Sequence, residues 1–169
     1  MIVFSIDGGS RGDPGPAGYG VRIVVGVGQL VDELYESIGV ATNNVAEYRG
    51  LLAALSYAVD HGCQDITIRS DSLLLVCQMK GEYRVKNAGL KTLHAEARQL
   101  VSRLGRVRFV HVRREENAEA DALANRAMDE GKTQEEPGGL AFASTALGTG
   151  RPGNNKRAGG SWPPTGRLF

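Results

Sequence analysis

The pattern of apolar and polar positions changes period several times along the chain. Residues 2–6 are apolar and rich in β-branched side chains, and they run into Asp7. The run Gly8-Gly9-Ser10-Arg11-Gly12-Asp13-Pro14-Gly15 then reads as a turn, because glycine and proline punctuate regular structure. Residues 19–27 and 30–40 read as two further strands, and the short connection around Val27-Gly28 implies antiparallel pairing. The period shifts next: Val45, Tyr48, Leu52, Leu55 and Val59 recur at spacings of three and four, which predicts an amphipathic helix over residues 44–60. Asn44 followed three residues later by Glu47 fits a capping box, and His61-Gly62 ends the helix. Residues 65–70 form a short strand that again runs into an aspartate, Asp71. A short helix over 73–79, a longer one over 90–104 beginning near Asn87, a fifth strand over 107–112 and a last helix over 118–128 complete the pattern.

The opening meander demands antiparallel neighbours, and the strand–helix–strand units that follow demand right-handed parallel crossovers. The expected fold class is therefore α/β, with a mixed five-stranded sheet, three strands antiparallel and two parallel, flanked by helices. Two aspartates stand where strands of this sheet end. If the fourth strand lies parallel beside the first, Asp7 and Asp71 emerge at one sheet edge, where α/β proteins bind ligands. Glu47 falls in the first turn of its helix, and Asp121 near the start of the last one. Each has a plainer reading. Asp7 opens a glycine turn, Glu47 completes a capping box, Asp71 caps the next helix, and Asp121 complements a helix dipole. Four converging carboxylates would raise one another's pKa, so such a cluster calls for a cation. Magnesium prefers oxygen ligands, and two such ions about 4 Å apart can drive phosphoryl transfer.

Composition narrows the picture without deciding it. The chain has 169 residues and a net charge of +1, so no broad basic field awaits a polyanion, and any nucleic acid must be held locally. Residues 133–169 contain eight glycines and four prolines, which sets them apart from a body over 1–132 and predicts a disordered C-terminal tail. Cys63 and Cys77 lie in no metal or redox spacing and read as reduced thiols. With no signal peptide and no apolar stretch of membrane-spanning length, a cytoplasmic monomer without membrane contact is the expectation.

Four local sequences add a resemblance. Asp7-Gly8-Gly9-Ser10-Arg11-Gly12-Asp13-Pro14-Gly15-Pro16-Ala17-Gly18-Tyr19-Gly20, Thr42-Asn43-Asn44-Val45-Ala46-Glu47, Ser70-Asp71-Ser72 and Glu116-Asn117-Ala118-Glu119-Ala120-Asp121-Ala122-Leu123-Ala124 occur in this order over about residues 1–130. Together they resemble the type 1 ribonuclease H family, in its short bacterial form that is sometimes fused to a phosphatase-like domain. The resemblance implies the ribonuclease H-like fold and a metal-dependent endonuclease that cuts the RNA strand of RNA–DNA hybrids, leaving 5′-phosphate and 3′-hydroxyl ends. It implies that Asp7, Glu47, Asp71 and Asp121 are catalytic and hold two Mg2+ ions, with Mn2+ as a substitute. In that scheme Asp7 bridges both ions, Asp71 shares the first site, and Asp121 holds the second ion most loosely. Gly8, Gly9, Ser10, Thr42, Asn43, Asn44, Lys86 and Asn87 are the implied substrate-binding residues, and RNA is told from DNA by its 2′-hydroxyls. The alternatives are a non-catalytic hybrid-binding module and a same-fold nuclease acting on double-stranded RNA or DNA.

The chain also departs from the family's pattern. Asp13 replaces a common asparagine, and Leu73 a common amide. The histidine-bearing loop before the last helix is reduced to Arg113-Arg114-Glu115-Glu116. His111 lies within the preceding strand and does not match that loop, and Arg113 or Arg114 is a candidate phosphate contact. The basic protrusion is reduced to Lys80, Arg84, Lys86 and Lys91 around Tyr83, which predicts weak, salt-sensitive substrate binding.

Overall fold

The computed structural model describes residues 1–131 and the backbone of 132–135 and 156–157. Five strands and four α-helices follow in the expected order: β1 (Ile2–Ser10), β2 (Gly15–Val25), β3 (Gln29–Ala41), α1 (Asn43–Asp60), β4 (Asp65–Ser70), α2 (Leu73–Met79), α3 (Ala88–Val101), β5 (Arg106–His111) and α4 (Ala118–Glu135). A short 3-10 turn over Arg114–Asn117 leads into α4. The tail expected over 133–169 lies outside the described residues, apart from the end of α4 and the two-residue strand β6 (Lys156–Arg157). The sheet order is β5-β4-β1-β2-β3-β6. β1, β2 and β3 form the antiparallel meander, β4 and β5 join in parallel, and β6 adds antiparallel to the edge of β3 at Leu34 and Tyr35.

Alternation along the strands decides which helix covers which face. Ile2, Phe4 and Ile6 of β1 with Tyr19, Val21 and Ile23 of β2 point into the main core, where they meet Tyr48, Leu51 and Leu55 of α1 and Leu90 and Ala97 of α3. The intervening positions of β2 face α4. A side chain at Gly20 would collide with the Ala120 carbonyl, at 2.7 Å, so glycine there lets α4 lie close against the sheet. A smaller cluster of Tyr35, Leu123 and Ala127 seals that second layer.

The glycine run after Asp7 is not a turn. β1 continues through Gly8, Gly9 and Ser10, each paired with β2, while its parallel ladder with β4 stops at Ile6 opposite Ser70. Beyond Ile6 the β2 side of β1 stays paired, and on the side β4 no longer reaches the Gly8 amide donates to Glu47 instead. Asp7 therefore stands inside a strand, at the point where the sheet opens. The turn proper is confined to residues 11–14, where Asp13 accepts a hydrogen bond from the Asn43 amide at 3.0 Å and ties the turn to the start of α1.

Two capping expectations also change. The N-cap of α1 is Thr42, whose hydroxyl accepts from the Val45 amide at 3.2 Å, so Asn44 is already helical and no capping box with Glu47 forms. Glu47 then belongs to the second turn and is buried. Likewise Ser72, not Asp71, caps α2, accepting from the Leu75 amide at 3.2 Å, which leaves the Asp71 carboxylate free for other duty. Among the described residues, no helix is long and apolar enough to cross a membrane.

Candidate active site

Four elements deliver one carboxylate each to a cleft of about 430 Å³. β1 presents Asp7, α1 Glu47, the end of β4 Asp71, and the first turn of α4 Asp121. The cleft is also lined by Gly8, Gly9, Ser10, Arg11, Asn43, Arg114, Asn125 and Met128. Carboxylate oxygens of Asp7, Glu47 and Asp71 all lie within 4.8 Å of one another. Asp121 lines the same cleft, near enough to Asp7 to raise its pKa.

Sequence explains how Glu47 reaches this group from a helix. At Gly8 a side chain would overlap the Ala46 carbonyl, so only glycine allows β1 and α1 to approach so closely. The Gly8 amide then donates to Glu47 Oε1 at 3.0 Å in a buried hydrogen bond. On the opposite side Asn117, 1% exposed, donates from Nδ2 to the Ile6 carbonyl at 2.9 Å. That bond anchors the entry to α4 one residue before Asp7.

Burial and neighbouring negative charge dominate the electrostatics of the cleft. Burial, followed by the nearby Asp71 and Asp121, pushes the Asp7 carboxyl from an ordinary 3.8 up to about 8. Glu47 is raised well above its usual range by burial first, then by Asp7 and Asp71. Asp71 is raised mainly by burial, and the Arg114 guanidinium works against that shift. An isolated carboxylate group would gain donors when buried. These four have chiefly one another, an arrangement that protons or a multivalent cation must neutralise. The donor set is oxygen only, from hard carboxylates, which fits a divalent cation of the magnesium type and not a soft metal.

Of the residues expected to bind substrate, Gly8, Gly9, Ser10 and Asn43 line the cleft. Thr42 and Asn44 stand beside it at the exposed start of α1. Asn87 caps α3 through a 3.1 Å bond from the Leu90 amide, and Lys86 is exposed next to it, both outside the cleft lining. Between the two arginines before α4, Arg114 faces the cleft, and Arg113 pairs with Glu116 at 3.8 Å. Arg11, Asn125 and Met128 also line the cleft and were not singled out from sequence. Asn125 carried a usable signal, because it lies four residues after Asp121 and so on the same helix face. Arg11 and Met128 carried none.

A mixed sheet with this strand order, opening onto clustered carboxylates, defines the ribonuclease H-like class of α/β proteins. Comparison with known proteins makes the assignment particular. Residues 5–127 match the family described as Reverse transcriptase-like. A Ribonuclease HI of Halobacterium salinarum is 44% identical over 124 residues, covering 73% of this chain and 62% of that protein. The N-terminal RNase H domain of a bifunctional Mycobacterium tuberculosis protein superposes with a TM-score of 0.76 at 44% identity, covering 79% of this chain and 96% of the domain. LC11-RNase H1, solved in complex with an RNA/DNA hybrid, gives a TM-score of 0.74 at 41% identity, over 77% of this chain and 98% of that one. The chain belongs to the type 1 ribonuclease H family. It spans about a third (35%) of the length of the full bifunctional mycobacterial protein, to which it is 46% identical over 129 residues.

Proposed function

We propose that this protein hydrolyses the RNA strand of RNA–DNA hybrids, leaving 5′-phosphate and 3′-hydroxyl ends, with two Mg2+ ions held by Asp7, Glu47, Asp71 and Asp121. The observation that carries this reading is the meeting of oxygens from Asp7, Glu47 and Asp71 within 4.8 Å in an open cleft, with burial and then like charge raising each group's pKa. Such a cluster costs stability in the free protein, and cation binding offsets that cost. Bound there, the ions would supply Lewis-acid chemistry, activating a water and stabilising charge on the departing 3′-oxygen.

The chain's own residues do the rest. The Gly8 amide holds Glu47 in one orientation, so the cluster is formed before substrate arrives. Gly8 and Gly9 leave the cleft floor without side chains, which gives the RNA backbone and its 2′-hydroxyls close access. Asn43 offers an amide able to donate and accept. Arg114 supplies positive charge beside Asp71, where an approaching phosphodiester needs it. Asp13 serves structure instead, since its carboxylate is engaged by the Asn43 amide. The family relationship and the hybrid-bound LC11-RNase H1 support the choice of substrate.

The test is cleavage of end-labelled RNA–DNA hybrid, duplex DNA and duplex RNA, with Mg2+ and with a chelator. Cutting of the RNA strand of the hybrid only when Mg2+ is present is the expected result. Hybrid binding without cutting would favour a binding module, and cutting of duplex DNA at an equal rate would overturn the substrate assignment.

A further inference from the structure

We propose that Asn125, oriented by Arg11, is a positioning residue that sets the Asp121 carboxylate for cation binding; this rests on the functional reading above. Asp121, Asn125 and Asp129 recur every four residues and so form one stripe along α4. The Asn125 side-chain amide donates from Nδ2 to the Asp121 carboxylate oxygen Oδ2 at 3.3 Å and to the Asp121 main-chain carbonyl at 3.1 Å. From the loop after β1, the Arg11 guanidinium reaches the same stripe. It donates to Asn125 Oδ1 and to the Asn125 carbonyl, each at 3.5 Å, and pairs with Asp129 at 2.6 Å. Arg11, Asn125 and Asp121 all line the cleft.

The chemistry of a primary amide makes this a directed relay. An asparagine has one donor end and one acceptor end. With its NH2 toward Asp121 and its oxygen toward Arg11, both ends meet complementary partners. Turned over, it would set oxygen against the Asp121 carboxylate and NH2 against a guanidinium. Arg11 therefore selects the orientation that serves Asp121. The Arg11–Asp129 pair is exposed on both sides, 41% and 66%, so it contributes little to stability, and its consequence is geometric.

Comparison with Asp7 and Glu47 shows why Asp121 needs such a device. Asp7 is fixed inside β1 by its pairing with Gly20 of β2, and Glu47 by a buried backbone amide. Asp121 comes from a helix and is only half-buried. Asn125, one turn on, supplies a donor that limits its side-chain rotation.

The experiment uses the full chain and its Asn125→Ala, Arg11→Ala and doubly substituted variants. Two readouts are taken: steady-state cleavage of a labelled RNA–DNA hybrid at sub-saturating Mg2+, and calorimetric titration of Mn2+ into protein without substrate. Loss of a hydrogen bond to a charged group predicts a fall in kcat of about ten-fold for Asn125→Ala, with KM for the hybrid unchanged and the Mn2+ titration shifted to higher concentration. Arg11→Ala should change both readouts in the same direction by about three-fold, acting only through the amide. The double variant should then match Asn125→Ala alone, because the two act in series. The proposal is overturned if Asn125→Ala leaves both readouts at the wild-type level, if it raises KM alone, or if the two losses multiply. A wild-type protein that binds Mn2+ but cuts no hybrid would contradict the nuclease reading instead, and the Mn2+ titrations of the variants would still decide the positioning role.

Discussion

Asp7 and Asp32 are buried to nearly the same degree, 7% and 5% exposed, yet their surroundings are opposite. Asp32, on β3, accepts from the Glu33 amide at 2.9 Å and from the Tyr57 hydroxyl at 3.1 Å, beside a His61 ring stacked on Tyr57 at 3.9 Å. Donors surround it. Asp7 faces Glu47, Asp71 and Asp121, and its carboxyl is driven up to about 8. A buried acid among donors is part of the fold's scaffold. A buried acid among acids needs a proton or a cation to neutralise it.

Substitution separates the two most sharply. Asp7→Asn should lower hybrid cleavage by about a thousand-fold or more, while thermal denaturation shows a fold at least as stable as the wild type. Asp32→Ala should do the reverse, costing about 1–3 kcal/mol by stranding buried donors, with cleavage at 25 °C unchanged. If Asp32→Ala abolished cleavage in protein that remained folded, the distinction would fail.

The next effect is on pH dependence in the presence of a chelator. The folded protein holds a proton on Asp7 up to about pH 8, whereas an unfolded chain releases it near the ordinary 3.8. Because the folded state binds more protons in between, stability should fall as pH rises from about 4 to about 8 and level off beyond. Glu47 and Asp71 shift the same way and add to this slope. Denaturant melts at several pH values check it, and Asp7→Asn should flatten the slope.

The smallest effects concern the start of α1. Thr42→Ala should cost about 1 kcal/mol through loss of the cap, and Asn44→Ala should stay within about 0.5 kcal/mol, both read from denaturant midpoints. The opposite order would restore Asn44 as the cap.

Much of this was legible in the sequence because strand ends and helix periods are local signals. The five-strand order follows from a tight meander and from crossovers whose hand is fixed. The convergence of Asp7 and Asp71 followed from parallel pairing alone, and the motifs around Glu47 and Asp121 brought in the other two. What the sequence hid depends on partners far along the chain. Gly8 and Gly9 read as turn residues until β2 provides their ladder. Glu47 was placed in the cluster by its motif but also fitted a capping box, and what holds it there is the Gly8 amide, 39 residues away in sequence. The Arg11 contacts with Asn125 and Asp129 span 114 residues or more, beyond any local pattern. The reach of the chain back to the β3 edge at Lys156–Arg157 had no signal of period or turn chemistry.

The cation cage itself is tested most directly by thermal denaturation at pH 8 with and without Mg2+, for the wild type and Asp7→Asn. Mg2+ should raise the wild-type Tm by relieving repulsion among the carboxylates, and Asp7→Asn should lose most of that rise. A wild-type Tm indifferent to Mg2+ at millimolar concentration, or an equal rise in both proteins, would contradict the account.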